Sequence, residues 1–157
     1  MSFKKILVAV DGGPLTEAIM ELASKFAKLE KAKIWVVNVL EVPRALPLEV
    51  DILDASIPEE IRHSNEVLDH AADIIENLGL DVVTDQLHAR EAGPAIVDEA
   101  RDLGADLIII GTSGKNRLGD FLNAGGSTVN YVLKRAPCQV WVIANSQKTA
   151  KLPVKGK

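Results

Sequence analysis

Five short apolar runs alternate along this chain with stretches of helical period, and few architectures can absorb that alternation. Residues 6–10 (ILVAV), 34–40 (IWVVNVL), 107–110 (LIII) and 139–143 (QVWVI) are almost continuously apolar. Such runs suit strands covered on both faces. Residues 81–88 (DVVTDQLH) read as a weaker strand nearer an edge, because polar side chains interrupt it. From Pro14, apolar positions recur at three- and four-residue spacing: Leu15, Ala18, Ile19, Leu22, Ala23 and Phe26. Pro14 suits a first helical turn, where its missing N–H is harmless. Residues 58–78 form a second helix with a stripe of Ile61, Leu68, Ala71, Ala72, Ile75 and Leu78, closed by Gly79. Pro94 opens a third, with Ile96, Ala100 and Leu103 inward and Gly104 as its stop. Ser127 can cap a fourth, containing Val129, Val132, Leu133 and Ala136 and ended by Pro137. Residues 41–57 carry two prolines without a clear period and read as a long loop.

Strands that alternate with helices predict an α/β fold: a doubly wound, five-stranded parallel sheet with helices on both faces and right-handed crossovers. The expected strand order is 3-2-1-4-5. A length of 157 residues suits one domain, placed at 1–145. Residues 146–157 are basic and aperiodic and are expected to form a disordered tail.

Composition narrows the function. A net charge of -4 argues against a broad nucleic-acid surface, and aromatic residues, at 4%, form no ladder for stacking bases. Cys138 is the only cysteine, so no internal disulfide or cysteine zinc cluster can form, and it reads as a buried structural thiol. The opening MSFKKILVAV is too short for a signal peptide or a membrane span. A cytoplasmic protein without membrane or nucleic-acid partners is expected.

In a sheet of this order, ligands bind beyond the carboxyl ends of the strands, where the strand order reverses between the first and fourth. The loops leaving those two strands are DGGP at 11–14 and GTSGKNRLGDFLNAGGS at 111–127. Gly111, Gly114, Gly119, Gly125 and Gly126 are five of the chain's 11 glycines. Clustered glycines let backbone approach a ligand closely, and N–H groups at a following helix start favour phosphate oxygens. Ser127 can add a hydroxyl; Lys115 and Arg117 can add positive charge. A flexible turn over packed Leu118, Phe121 and Leu122 is the competing reading. The chain has neither the Gly-x4-Gly-Lys-Ser/Thr nor the Gly-x-Gly-x-x-Gly pattern.

ILVAVDGG, VVNVL, DLIIIGTSGKNRLGDFL and GGSTVNYVLKRAPCQVWVI together make the chain resemble the universal stress protein family over nearly its full length. The resemblance implies the adenine nucleotide alpha hydrolase-like fold and, in the ATP-binding subgroup, a Gly-x2-Gly-x9-Gly-Ser/Thr motif. Gly111 and Gly114 match it. Gly126-Ser127 follows Gly114 after eleven residues rather than nine, which reads as a two-residue insertion around 123–125. By resemblance, Asp11 is the acidic residue beside the nucleotide, with Ala9 and Val10 in the pocket wall. Val39 contacts the adenine. Gly111, Gly114, Gly126, Ser127 and Thr128 match the phosphate and ribose contacts, and Thr112 and Lys115 are counted with them as nucleotide-binding residues. The implied ligand is ATP or AMP. From its chemistry, Asp11 can accept a hydrogen bond from a base amine or ribose hydroxyl, or cap the first helix. Asp11 and Asp120 are also candidates to share a magnesium ion with the phosphates of ATP.

Other residues weigh less. His63 and His70 lie seven positions apart on one helix, about 10 Å in rise, and read as a solvated face, not a metal pair. Arg90, at the end of the third strand, is a candidate phosphate contact. No Ser/His/Asp arrangement is identifiable. Three functions compete: a nucleotide-dependent regulatory module of the stress response, a slow ATPase or adenylate-forming enzyme, and a ligand-free dimeric scaffold. The fifth strand, Gln139 to Ile143, is apolar and at an edge, which invites pairing. The family pairs this strand about a two-fold axis, so a homodimer is expected, with Trp141 as a candidate anchor.

Overall fold

The computed structural model describes residues 2–48, 58–112 and 127–144. The elements are β1 (Lys5–Ala9), α1 (Thr16–Glu30), β2 (Lys33–Glu41), α2 (Pro58–Asn77), β3 (Val82–Ala89), α3 (Ala92–Leu103), β4 (Leu107–Gly111), α4 (Ser127–Arg135) and β5 (Gln139–Ile143). All five strands run parallel in the order β3-β2-β1-β4-β5. That is the expected order, and it sets β1 beside β4 at the centre.

Two apolar clusters show how the faces are shared. Ile6, Val8 and Val10 of the first segment join α1 and α2 residues such as Met20, Ala23, Ala71 and Ile75. The alternate residues Leu7 and Ala9 join Ile96, Val97 and Ala100 of α3 with Val129 and Val132 of α4. β1 and β4 are therefore buried on both sides, and their continuous apolar runs follow from that. β3 is an edge strand, and Thr84, Asp85 and His88 on it are exposed, which explains its polar interruptions. Burying a Leu- or Ile-sized side chain contributes about 1.5–3 kcal/mol, so the double cover of the central strands anchors the domain.

Several boundaries and faces differ from expectation. α1 starts at Thr16, and Pro14 lies in the turn before it, where the Thr16 N–H meets the Gly13 carbonyl. The buried face of α1 is Thr16, Ile19, Met20, Ala23, Ser24 and Ala27, whereas Ala18 and Leu22 face outward. Spacing alone admitted a stripe rotated by part of a turn. α1 also ends without a glycine: Lys31 takes the left-handed conformation at φ 56. On α2, Val67 and Leu68 are buried, while Leu78 falls in the turn just past the helix and is exposed. α3 begins two residues before Pro94, which sits in the first turn, where an absent N–H is harmless. Trp141 packs within its own chain, its ring centroid 4.5 Å from Phe26 and 6.3 Å from Phe3. The stretch 146–157 and most of the 111–127 loop lie outside the described residues.

Candidate functional site

The carboxyl ends of β1 and β4 lie side by side, because the ladder pairs Ala9 with Ile110, while β2 pairs its Val37 with Ala9 and runs on to Glu41. Beyond them the connections part: α1 crosses one face and α4 begins on the other. This divergence opens a cleft of about 300 Å³. That volume is at the small end of the range for ligand sites.

The cleft brings together Ala9, Val10, Asp11, Val39, Gly111, Thr112 and Thr128, each singled out from the sequence. Val37, Ile110, Ile96 and Val129 extend its apolar wall; Thr16, Asn38 and Glu41 add polar groups. Ser127 is the first residue of α4, so the cleft lies beside the start of that helix, where backbone N–H groups lack helical partners. Gly114, Lys115, Gly126 and Asp120 lie outside the described residues, and so does the expected insertion at 123–125.

Asp11 does not cap α1. Leu15 holds the N-cap position, without a side-chain bond. The Asp11 carboxylate instead accepts the Gly13 N–H at 2.8 Å, closing a turn over Gly12. Gly12 has φ 79 and lies so close to α2 that a Cβ would fall 2.6 Å from Val67 Cγ2. Only glycine suits that conformation and that gap. At Gly111 an added Cβ would come 2.7 Å from Ile19 Cδ1, so the floor of the cleft also depends on a missing side chain.

Asn38, Thr16 and Glu41 were not anticipated. Asn38 carried a usable signal: it is the one polar residue inside an otherwise apolar run, just before Val39. Arg90 is a correction. Its guanidinium donates to the carbonyls of Val42 and Pro43, and it lines a separate depression with Arg44, His88 and Asp98. His70 faces Glu17 Oε1 at 3.2 Å across the α1–α2 groove. Among the described residues no group of three or more His, Cys, Asp or Glu is placed to hold a metal ion. Two groups away from the cleft are perturbed. Burial, then the charges of Asp85 and Asp102, push the Glu99 carboxyl above its ordinary value. Burial and then Asp106 push the Cys138 thiol up, which disfavours the reactive thiolate.

Comparison with known proteins gives this geometry its context. The universal stress protein family model matches residues 2–144. A putative universal stress protein of Staphylococcus epidermidis is 34% identical over 149 residues, covering 94% of this chain and 87% of the relative. Among solved structures, the universal stress protein UspA of Lactobacillus plantarum superposes with a TM-score of 0.74 at 25% identity, over 91% of this chain and 99% of that one. The Archaeoglobus fulgidus universal stress protein in complex with dAMP gives 0.68 at 26% identity, over 91% and 99%. These neighbours share the adenine nucleotide alpha hydrolase-like fold seen here. On the family model and the curated relative together, the chain belongs to the universal stress protein family.

Proposed function

We propose that the cleft binds an adenine nucleotide, ATP or AMP, and that the chain acts as a ligand-dependent regulatory module of the stress response. One observation carries this reading. Asp11, Val39, Gly111 and Thr128 come from four separate segments, and they line one cleft at the point where the strand order reverses. The chemistry fits. Val39, Ala9 and Ile110 offer an apolar wall for a purine face, while Asp11 and Thr16 offer acceptors and a hydroxyl for a ribose. The start of α4, with Ser127 and Thr128, suits a phosphate. The dAMP complex of the Archaeoglobus fulgidus relative supports the same ligand class. With ATP, Asp11 and Asp120 would share a magnesium ion with the phosphates, and Lys115 would add charge. We place the protein in the cytoplasm and read it as a homodimer joined through β5.

Mass spectrometry of nucleotide released from freshly purified protein tests the reading. Adenine nucleotide is expected near one per chain, and a paired Gly114→Val and Ser127→Ala variant is expected to lose it. Retention by a folded variant would place the site elsewhere. Phosphate release above background from added ATP would shift the reading to a slow ATPase.

A further inference from the structure

β1 leaves the sheet just where the cleft begins, and its last backbone groups need partners. The Val10 N–H finds the Val37 carbonyl at 3.0 Å, one step past the end of the strand. The Val10 carbonyl accepts instead from a side chain, Asn38 Nδ2, at 2.7 Å. Asn38 Oδ1 in turn accepts from Ser64 Oγ of α2 at 2.6 Å. The chemistry fixes the orientation of that amide. A carbonyl can only accept, so Nδ2 faces Val10, and the Ser64 hydroxyl must then donate to Oδ1. Ser64 is 2% exposed, so water has little access to its hydroxyl, while Asn38 is half-buried on the cleft wall. A polar pair in an otherwise apolar layer is costly to leave unmatched, and here both members are matched.

The same face of α2 also meets the turn directly. Val67, one helical turn after Ser64, closes against Gly12. Asp11 lies between these two contacts, its carboxylate folded onto Gly13. We propose that Asn38 is a positioning residue of the cleft: by bridging the Val10 carbonyl to Ser64 it locks the Val10–Asp11 peptide, presents the Asp11 carboxylate to the ligand, and ties the Asp11 turn to α2. Its effect on binding rests on the nucleotide reading above; its effect on the turn does not.

The test uses Asn38→Asp, which keeps the shape and the acceptor for Ser64 but sets an oxygen against the Val10 carbonyl. Ser64→Ala is the milder companion, because it leaves the Asn38 donor in place. Without ligand, the amide exchange rate of Gly13 is read by NMR. It is expected to rise about tenfold in Asn38→Asp and less in Ser64→Ala, as the Asp11–Gly13 turn loosens. With AMP, calorimetric titration of Asn38→Asp, Asp11→Asn and the double variant is compared. Asn38→Asp is expected to weaken binding about tenfold, and the double variant to bind no worse than Asp11→Asn alone, because Asn38 acts through Asp11. A merely structural role would multiply the two losses. Unchanged Gly13 exchange in a folded Asn38→Asp protein, or in Ser64→Ala should the first not fold, would overturn the proposal, as would multiplying losses. Failure of the wild-type chain to bind AMP would instead count against the nucleotide reading, and Gly13 exchange would still decide the positioning claim.

Discussion

A carboxylate offers about four acceptor sites, and the Gly13 N–H takes one of those on Asp11. The residue can therefore hold its own turn and still receive a ligand donor. Asp11→Asn separates the two roles. The asparagine oxygen can keep the Gly13 bond, while the charge and the second acceptor oxygen are lost. Hydrogen bonds to charged groups are worth about 1.5–3 kcal/mol, so nucleotide affinity should fall roughly 10- to 100-fold by calorimetry with little change in Tm. Unchanged affinity would remove Asp11 from the binding site. At this scale the sequence was informative where chemistry is local. Asp-Gly-Gly announces a tight turn whatever surrounds it. The role of Asn38 is not local, because its two partners lie at Val10 and Ser64, 28 and 26 positions away. Nothing in periodicity links those three residues before the sheet is assembled.

Elements were legible in kind and order and less so in their edges and faces. Glycine closes α2 and α3 as expected, at Gly79 and Gly104, both with positive φ. α1 ends on Lys31, where no residue type signals a stop, because the chain must turn back to place Lys33 beside Lys5. Its buried face was misplaced because Ala18 and Leu22 fit the same spacing as Met20 and Ala27. Tertiary packing settled that choice, not propensity. α3 carries the prediction at this scale. Glu99 has its carboxyl raised by burial, with Asp85 and Asp102 adding to it. A raised folded value means the native state holds its proton more tightly than the unfolded chain. Stability tied to this group is therefore full below the unfolded value and is lost as pH rises through the folded one. Glu99→Gln should raise Tm at pH 7, and the gain should shrink as the pH falls toward 4. A gain that stays constant with pH would refute the assignment.

For the whole molecule, the alternation of five apolar runs with helices predicts the parallel sheet, whereas its order, an inference that alternation does not itself show, is the one found. It also pointed to the junction of β1 and β4, because a sheet wound in both directions must open there. The glycine-rich loop that follows β4 falls largely outside the described residues, and its proposed part in the site is read from its composition and its resemblance. Assembly is a proposal of the same kind. β5 forms one edge of the sheet, and Val140, Trp141, Val142 and Ile143 are only half-buried in the single chain. A lysine on an apolar edge opposes strand pairing. Val140→Lys should therefore sediment as a monomer, and an unchanged dimer would reject this interface. The most direct test of the central claim is an NMR titration of the chain with AMP, following backbone amides. The account predicts saturable shifts at Ala9, Asp11, Val39, Gly111 and Thr128, with the amides of His88, Glu91 and Asp98 around the separate depression unmoved. No shift up to millimolar AMP in a folded protein, or shifts confined to that second depression, would contradict it.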